Sequence, residues 1–86
     1  MLLNILAAGD VVGEVGQDIL SRRLKELRDQ TEAHFTVVNG ENASGVGITP
    51  AQARRMLEAG ADVITLGNHT WNRIQIAPFL DENRYI

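Results

Sequence analysis

Residues 61–71 read Ala-Asp-Val-Ile-Thr-Leu-Gly-Asn-His-Thr-Trp. The first six form a mainly apolar run that predicts a buried strand. Gly67 ends the run, and Asn68 and His69 follow at its carboxyl end. Asn offers a carbonyl oxygen, and His offers an imidazole that binds metals or carries protons. Because ligands of open α/β sheets bind beyond the carboxyl ends of strands, we expect a site here. The alternative is a polar turn with a surface His.

Two similar strands precede this one along the chain. An apolar run predicts the first strand over Leu2–Ala8, and a second run predicts the next over His34–Asn39. The third strand is expected over Asp62–Leu66, within the stretch quoted above. Each strand is followed by Gly-containing polar residues, which are typical of loops.

Helical patterns separate the strands. Residues 17–28 place Ile19, Leu20, Leu24 and Leu27 on one face, as expected for an amphipathic helix. Thr49-Pro50 predicts the N-cap and first residue of a second helix, and Gly60 suits its C-cap. A third helix is expected within residues 72–82, where Pro78 either starts or kinks it.

The order of these elements predicts an α/β fold of three βα units. Crossovers of this length favour a parallel sheet, and we expect the strand order 3-2-1 with helices on both faces. The 86 residues allow a single small domain. We expect strand one to lie centrally in a larger sheet, which would leave an apolar edge open to association between copies.

Composition narrows the function classes. The formal charge of −3 does not favour strong binding to nucleic acid. No apolar run approaches the roughly 20 residues that span a bilayer, and no basic segment precedes the first apolar run. The chain has no Cys, which removes disulfides and thiolate chemistry. We therefore expect a cytoplasmic protein that acts on a small molecule.

Polar side chains follow all three predicted strands. They are Asp10 after the first strand, Glu41 and Asn42 after the second, and Asn68 and His69 after the third. Parallel strands with right-handed crossovers would bring them to one sheet edge. Oxygen donors with one His suit Mn, Mg or Fe(II), including a two-metal hydrolase site. Alternatively, Asp10 is a cap, Glu41-Asn42 a solvated loop tip, and His69 a structural His.

A nucleotide- or phosphate-binding module without catalysis is the second interpretation. The glycines at 9, 13 and 16 do not form G-x-G-x-x-G, and no G-K-[ST] follows. The first helix could still offer free amides to an anion. Asp10 argues against this module, because a carboxylate repels phosphate unless a cation intervenes.

Three motifs together resemble a known family. Gly9-Asp10-Val-Val-Gly13, Asn39-Gly-Glu-Asn-Ala43 and Gly67-Asn-His-Thr-Trp71 resemble the calcineurin-like metallophosphoesterase superfamily, and most closely its YmdB-type bacterial phosphodiesterases. The broad superfamily's D-x-H, G-D-x-x-D and G-N-H-[DE] are here Asp10-Val-Val12, Gly40-Glu-Asn42 and Gly67-Asn-His-Thr70. These replacements follow the YmdB-type pattern.

The resemblance implies a role for each site residue. Asp10 would bind the first metal, Glu41 would bridge both, and Asn42 and Asn68 would complete the ligands. His69 would be the catalytic residue that gives a proton to the leaving alkoxide. The resemblance further implies two divalent metal ions, Fe or Mn ahead of Mg, and cyclic nucleotides or similar phosphoesters as substrates.

The family's enzymes are much longer than this chain and take further His ligands from their second half. The only other His is His34, which precedes the second strand. The resemblance therefore implies that residues 1–86 are the N-terminal portion of a metallophosphoesterase α/β sandwich, and that the expected activity belongs to the longer protein.

Overall fold

Strands and helices alternate along the chain, and a computed structural model describes residues 2–86. The elements in order are β1 (Ile5–Ala8), α1 (Gly13–Thr31), β2 (Phe35–Asn39), α2 (Pro50–Ala59), β3 (Val63–Thr65), a 3-10 turn (Thr70–Asn72) and α3 (Ile76–Glu82). The three predicted βα units are therefore confirmed, although the strands are shorter than their apolar runs.

The three strands form one parallel sheet in the order β1-β2-β3. Ile5 lies opposite Phe35, and Val37 lies opposite Val63. This order is the predicted 3-2-1 order. Because all strands run in the same direction, their carboxyl ends meet at one edge, and the loops that follow them are neighbours.

Helix α1 begins four residues before the predicted start and ends three residues after the predicted end. The predicted start at residue 17 left Gly13 and Gly16 in the loop after the first strand, but only four residues separate β1 from Gly13. Gly13, the first residue of α1, has a positive φ of 66°, which glycine adopts without steric cost. At the other end, the backbone N–H of Glu32 donates to Asp29 and closes the helix.

The signals at the start and end of α2 are confirmed. Thr49 is the N-cap, and its side chain accepts from Gln52 N–H while the Gln52 side chain accepts from Thr49 N–H. Gly60 caps the other end with φ 124°. In α3, Pro78 is the third residue and neither starts nor kinks the helix, because its missing N–H lies in the first turn, where none is needed.

The expectation of helices on both faces is wrong for the part of the chain described. Leu24 of α1, Met56 of α2 and Ile76 of α3 share one core cluster with Val38 and Ile64 of the sheet. The reason is geometric: when successive strands are added on the same side, right-handed crossovers place every helix on the same face. Helices on both faces would require the strand order to reverse.

The burial of the strands follows the same division. Thr36, Val38 and Ile64 are buried beneath the helices, whereas Ile5 is 59% exposed and Phe35 41% exposed on the opposite face. After α3 the chain returns beside β3, where Ile64 N–H donates to the Tyr85 carbonyl at 2.8 Å. Within residues 2–86, no helix combines the length and apolar character needed to cross a membrane.

One charged group links the first two helices. Arg55 of α2 pairs with Asp18 and Glu14 of α1. The hydrogen bond to Asp18 raises the pKa of the Arg55 guanidinium above its ordinary value. These two ion pairs join α1 to α2 and include none of the residues in the strand-end loops.

Candidate active site

Backbone hydrogen bonds draw the three strand-end loops together. Val11 N–H donates to the Asn39 carbonyl at 3.2 Å, which joins the loop after β1 to the end of β2. Gly13 N–H donates to the Asn42 carbonyl at 3.1 Å, and Gly40 N–H donates to Thr65 at 3.0 Å. The segments that carry the predicted site residues are therefore held side by side.

Asn42 connects the loop after β1 with the loop after β3. Its side-chain amide donates to Asp10 Oδ2 at 2.7 Å, and its carbonyl oxygen lies 2.7 Å from His69 Nδ1. Because that oxygen can only accept, Nδ1 is the donor in this hydrogen bond. Nε2, the other ring nitrogen, takes no part in it. Asp10, Asn42 and His69 form one hydrogen-bonded chain across residues far apart in sequence.

The Glu41 carboxylate lies against the turn that carries His69. His69 N–H donates to Glu41 Oε2 at 3.3 Å, and His69 Nδ1 is 3.8 Å from the same oxygen. Gly67 makes this approach possible: a Cβ at that position would lie 2.5 Å from Oε2 and 2.7 Å from Oε1. The carboxylate therefore occupies space that any other residue at 67 would fill.

Asn68 differs from its neighbour. It is exposed, and no side-chain hydrogen bond joins it to the other four residues in the part of the chain described. The turn is closed by Thr70, whose N–H and hydroxyl both donate to the Gly67 carbonyl. That turn directs His69 inward and leaves Asn68 at the rim, so four of the five predicted residues are brought together.

The donor set agrees in part with a metal centre. Two carboxylates and an amide oxygen suit hard divalent ions, and the missing side chain at Gly67 leaves room for the Glu41 carboxylate. Among residues 2–86, however, no three His, Cys, Asp or Glu side chains gather closely enough to hold an ion by themselves. A metal at this edge would therefore depend on the amide oxygens as well as the carboxylates.

Two contacts near the site were not anticipated from the sequence. Arg73 Nε donates to the Val46 carbonyl at 3.3 Å, which joins the loop after β2 to the segment after His69. Gln17 of α1 is buried and donates to the Ala43 carbonyl at 2.9 Å. Gln17 did leave a signal, because it lies three residues before Leu20 and seven before Leu24 on the apolar face of α1.

Known proteins share this sequence and fold. A 2′,3′-cyclic-nucleotide 2′-phosphodiesterase of Bacillus subtilis is 42% identical over 81 residues, which are 93% of this chain and 31% of that protein. A putative phosphatase/phosphodiesterase of Mycoplasma pneumoniae is 36% identical over 70 residues, or 80% of this chain and 25% of that protein.

Two solved structures have the same fold. A novel phosphatase from Mycoplasma pneumoniae superimposes with a TM-score of 0.89 at 28% identity, covering 96% of this chain and 30% of that one. A hypothetical protein from Thermus thermophilus gives 0.82 at 33% identity, covering 90% and 30%. The chain thus spans about a third of the length of its relatives.

A family model matches nearly the whole chain. The profile described as YmdB-like protein matches residues 6–86, which include every strand-end residue discussed above. The chain therefore belongs to the YmdB-like family.

Proposed function

We propose that the gene product containing these residues is a metal-dependent phosphodiesterase that acts on cyclic nucleotides or similar phosphoesters. The observation that carries the proposal is the joining of Asp10, Asn42, His69 and Glu41 at one sheet edge in a YmdB-like chain. The Bacillus subtilis relative, named as a cyclic-nucleotide phosphodiesterase, supports a diester substrate.

In this proposal, Asp10, Glu41, Asn42 and Asn68 hold two divalent metal ions, with Fe or Mn preferred and Mg as the alternative. When bound, the ions supply positive charge that stabilises the transition state and lowers the pKa of water. The acidic side chains need such a cation, because Asp10 and Glu41 alone would repel an anionic phosphodiester. This repulsion disfavours the non-catalytic phosphate-binding module.

His69 has the geometry of a proton donor. Its Nδ1 is occupied by Asn42 Oδ1, and its backbone N–H is held by Glu41. The ring is therefore fixed in orientation, and Nε2 is the nitrogen that would face a leaving alkoxide. Because Nδ1 keeps its proton in the hydrogen bond to Asn42, donation from Nε2 requires the imidazolium form, in which both ring nitrogens carry protons. His69 is partly exposed, with 38% of its side chain accessible, so a substrate can reach it.

Hydrolysis assays test the proposal. The gene product is treated with chelator and then given Mn²⁺, Fe²⁺ or Mg²⁺, with 2′,3′-cyclic AMP, bis-p-nitrophenyl phosphate and a phosphate monoester as substrates. We expect diester hydrolysis to disappear with chelator and to return with Mn²⁺ or Fe²⁺. Glu41→Gln keeps the shape of the side chain but removes its charge. In this variant we expect diester hydrolysis not to return when Mn²⁺ or Fe²⁺ is added after the chelator.

Calorimetry separates the two candidate functions. A nucleotide that binds equally well with and without chelator, and is never hydrolysed, would establish the binding module and refute the enzyme. Faster hydrolysis of the monoester than of the diesters would keep the metal chemistry, but it would make the protein a phosphatase that acts on phosphate monoesters.

A further inference from the structure

Gln17 is a buried polar residue on the apolar face of α1. It is 2% exposed, and Gln17 and Thr36 are the buried polar residues of the core in the part of the chain described. Its Nε2 donates to the Ala43 carbonyl at 2.9 Å and approaches the Gly13 carbonyl at 3.4 Å. Both neighbours are acceptors, so the amide has one satisfactory orientation. A buried amide that can satisfy its hydrogen bonds in only one orientation holds its partner, here the Ala43 carbonyl, in one position.

What Gln17 binds is the loop that carries two site residues. That loop, residues 40–47, is closed by its own backbone hydrogen bonds: Ala43 N–H donates to Gly40, Gly45 N–H to Asn42 and Gly47 N–H to Glu41. These bonds hold the loop in one compact conformation. Ala43, with none of its surface exposed, is the residue of this loop that belongs to the hydrophobic core cluster.

The backbone contacts of α1 act on the same loop. Gly13 N–H donates to the Asn42 carbonyl at 3.1 Å, one residue before the carbonyl that Gln17 holds. The start of α1 therefore donates hydrogen bonds to two consecutive backbone carbonyls, those of Asn42 and Ala43, directly after Glu41. A change at Gln17 would release the second of these carbonyls and leave the Ala43 carbonyl buried without its donor.

We propose that Gln17 is a positioning residue that sets Glu41 and Asn42 for metal binding from within the core. The inference rests on the proposed function, since it assigns Gln17 to the same metal site. Gln17 touches neither metal nor substrate, and its effect passes through Ala43. Residues that orient metal ligands from outside the coordination sphere are typically worth 10–100-fold in affinity or activity.

The test compares Gln17→Met with two controls. Gln17→Met keeps the length of the side chain but removes the donor. Gln30→Met is the same substitution on α1 at an exposed position, and Leu24→Ala weakens the core but removes no hydrogen bond to residues 40–47. Mn²⁺ affinity is measured by calorimetry on each folded protein, together with its melting temperature. We expect about a 10-fold loss of affinity for Gln17→Met alone.

A purely structural role predicts a different result. In that case Gln17→Met and Leu24→Ala would lower the melting temperature while Mn²⁺ affinity stays equal to that of the wild type, and the inference would be overturned. If Gln17→Met does not fold, Gln17→Asn takes its place, because it keeps an amide that is too short to reach Ala43; the same comparison then decides.

A second measurement keeps the inference separate from the proposed function. Hydrogen exchange of the Gly45 and Gly47 amides reports the order of the loop without any metal. We expect faster exchange in Gln17→Met than in Leu24→Ala. Absence of Mn²⁺ binding in the wild type would refute the metal site, and equal exchange in the two variants would refute the role of Gln17.

Discussion

Replacing Gly67 by Ala is expected to disturb the site while leaving the fold intact. The added Cβ would lie 2.5 Å from Glu41 Oε2, whereas ordinary contact begins near 3.4 Å. The carboxylate must therefore retreat by about 0.9 Å, which exceeds the roughly 0.2 Å tolerance of metal–ligand distances. Displacements near 1 Å can cost about 100-fold in rate, so we expect a loss approaching that size.

The cost to stability should be small. The displaced atoms are the end of a flexible side chain, and the fold loses at most the His69 N–H to Glu41 hydrogen bond, worth about 0.5–1.5 kcal/mol. Gly67 does not have a positive φ in the left-handed range, so Ala fits its backbone and recovers about 0.4–1 kcal/mol through the unfolded state. The melting temperature should therefore change by only a few degrees.

The assay measures Mn²⁺ affinity, diester hydrolysis and thermal melting of the gene product. Gly16→Ala is the matched control, because its Cβ on α1 would meet Val11 of the preceding loop at 3.3 Å and has no Glu41 atom among its nearest neighbours. In a Glu41→Asp background the shorter side chain withdraws the carboxylate, so the effect of Gly67→Ala should shrink. Unchanged affinity and activity in Gly67→Ala, or equal effects in both backgrounds, would refute the reasoning.

Four further predictions concern the site, the core and the strand edge. His69→Ala should leave Mn²⁺ binding nearly unchanged and lower kcat by about 10²–10⁴-fold for alkyl leaving groups, but less for p-nitrophenolate; loss of metal would make His69 a ligand. Asn68→Ala should weaken Mn²⁺ binding, with hydrolysis recovered at high Mn²⁺, whereas full activity at low Mn²⁺ would remove Asn68 from the site. Gly40→Ala should lower stability by about 1–3 kcal/mol in denaturant titrations, because its Cβ would meet Ile48, Ile64 and Met56 at 3.0–3.1 Å; a neutral result would show that the core can adjust. Copies of this chain should associate by light scattering, and Ile5→Lys on β1 should reduce the association; a monodisperse wild-type monomer at high concentration would contradict this.

The sequence predicted the elements better where a side chain marks their ends. Thr49, Pro50 and Gly60 located α2 to the residue, since a cap hydrogen bond acts at one position. No side chain caps the start of α1, and the glycines at 13 and 16 suggested a loop instead. The face on which the helices lie was also mispredicted, although one face follows from the predicted strand order once it is combined with right-handed crossovers.

The site could be predicted to a similar degree. Strand periodicity was sufficient to bring Asp10, Glu41, Asn42 and His69 to one edge. It could not say that Asn68 would be exposed and outside that hydrogen-bonded group, because the turn that Thr70 closes onto Gly67 lies beyond the strand periodicity. The position of Gln17 on the apolar face of α1 was a signal, but the sequence could not identify its partner, because the Ala43 carbonyl is 26 residues away and a backbone carbonyl carries no sequence signal.

A glycine precedes the polar residues at each strand end, and its function is to provide space. Gly9, Gly40 and Gly67 lack the positive φ that marks glycines chosen for conformation. A Cβ at Gly9 would meet Asn39 Cβ at 3.0 Å, one at Gly40 would enter the core, and one at Gly67 would meet the Glu41 carboxylate.

These three close approaches act at successive levels of the same edge. Gly9 lets the end of β1 lie against β2, Gly40 lets the next loop turn over the core, and Gly67 lets the third turn receive the carboxylate from that loop. The functional side chains can meet because the residues before them have none. The glycines that the sequence suggests as strand breakers are therefore better understood as part of the site.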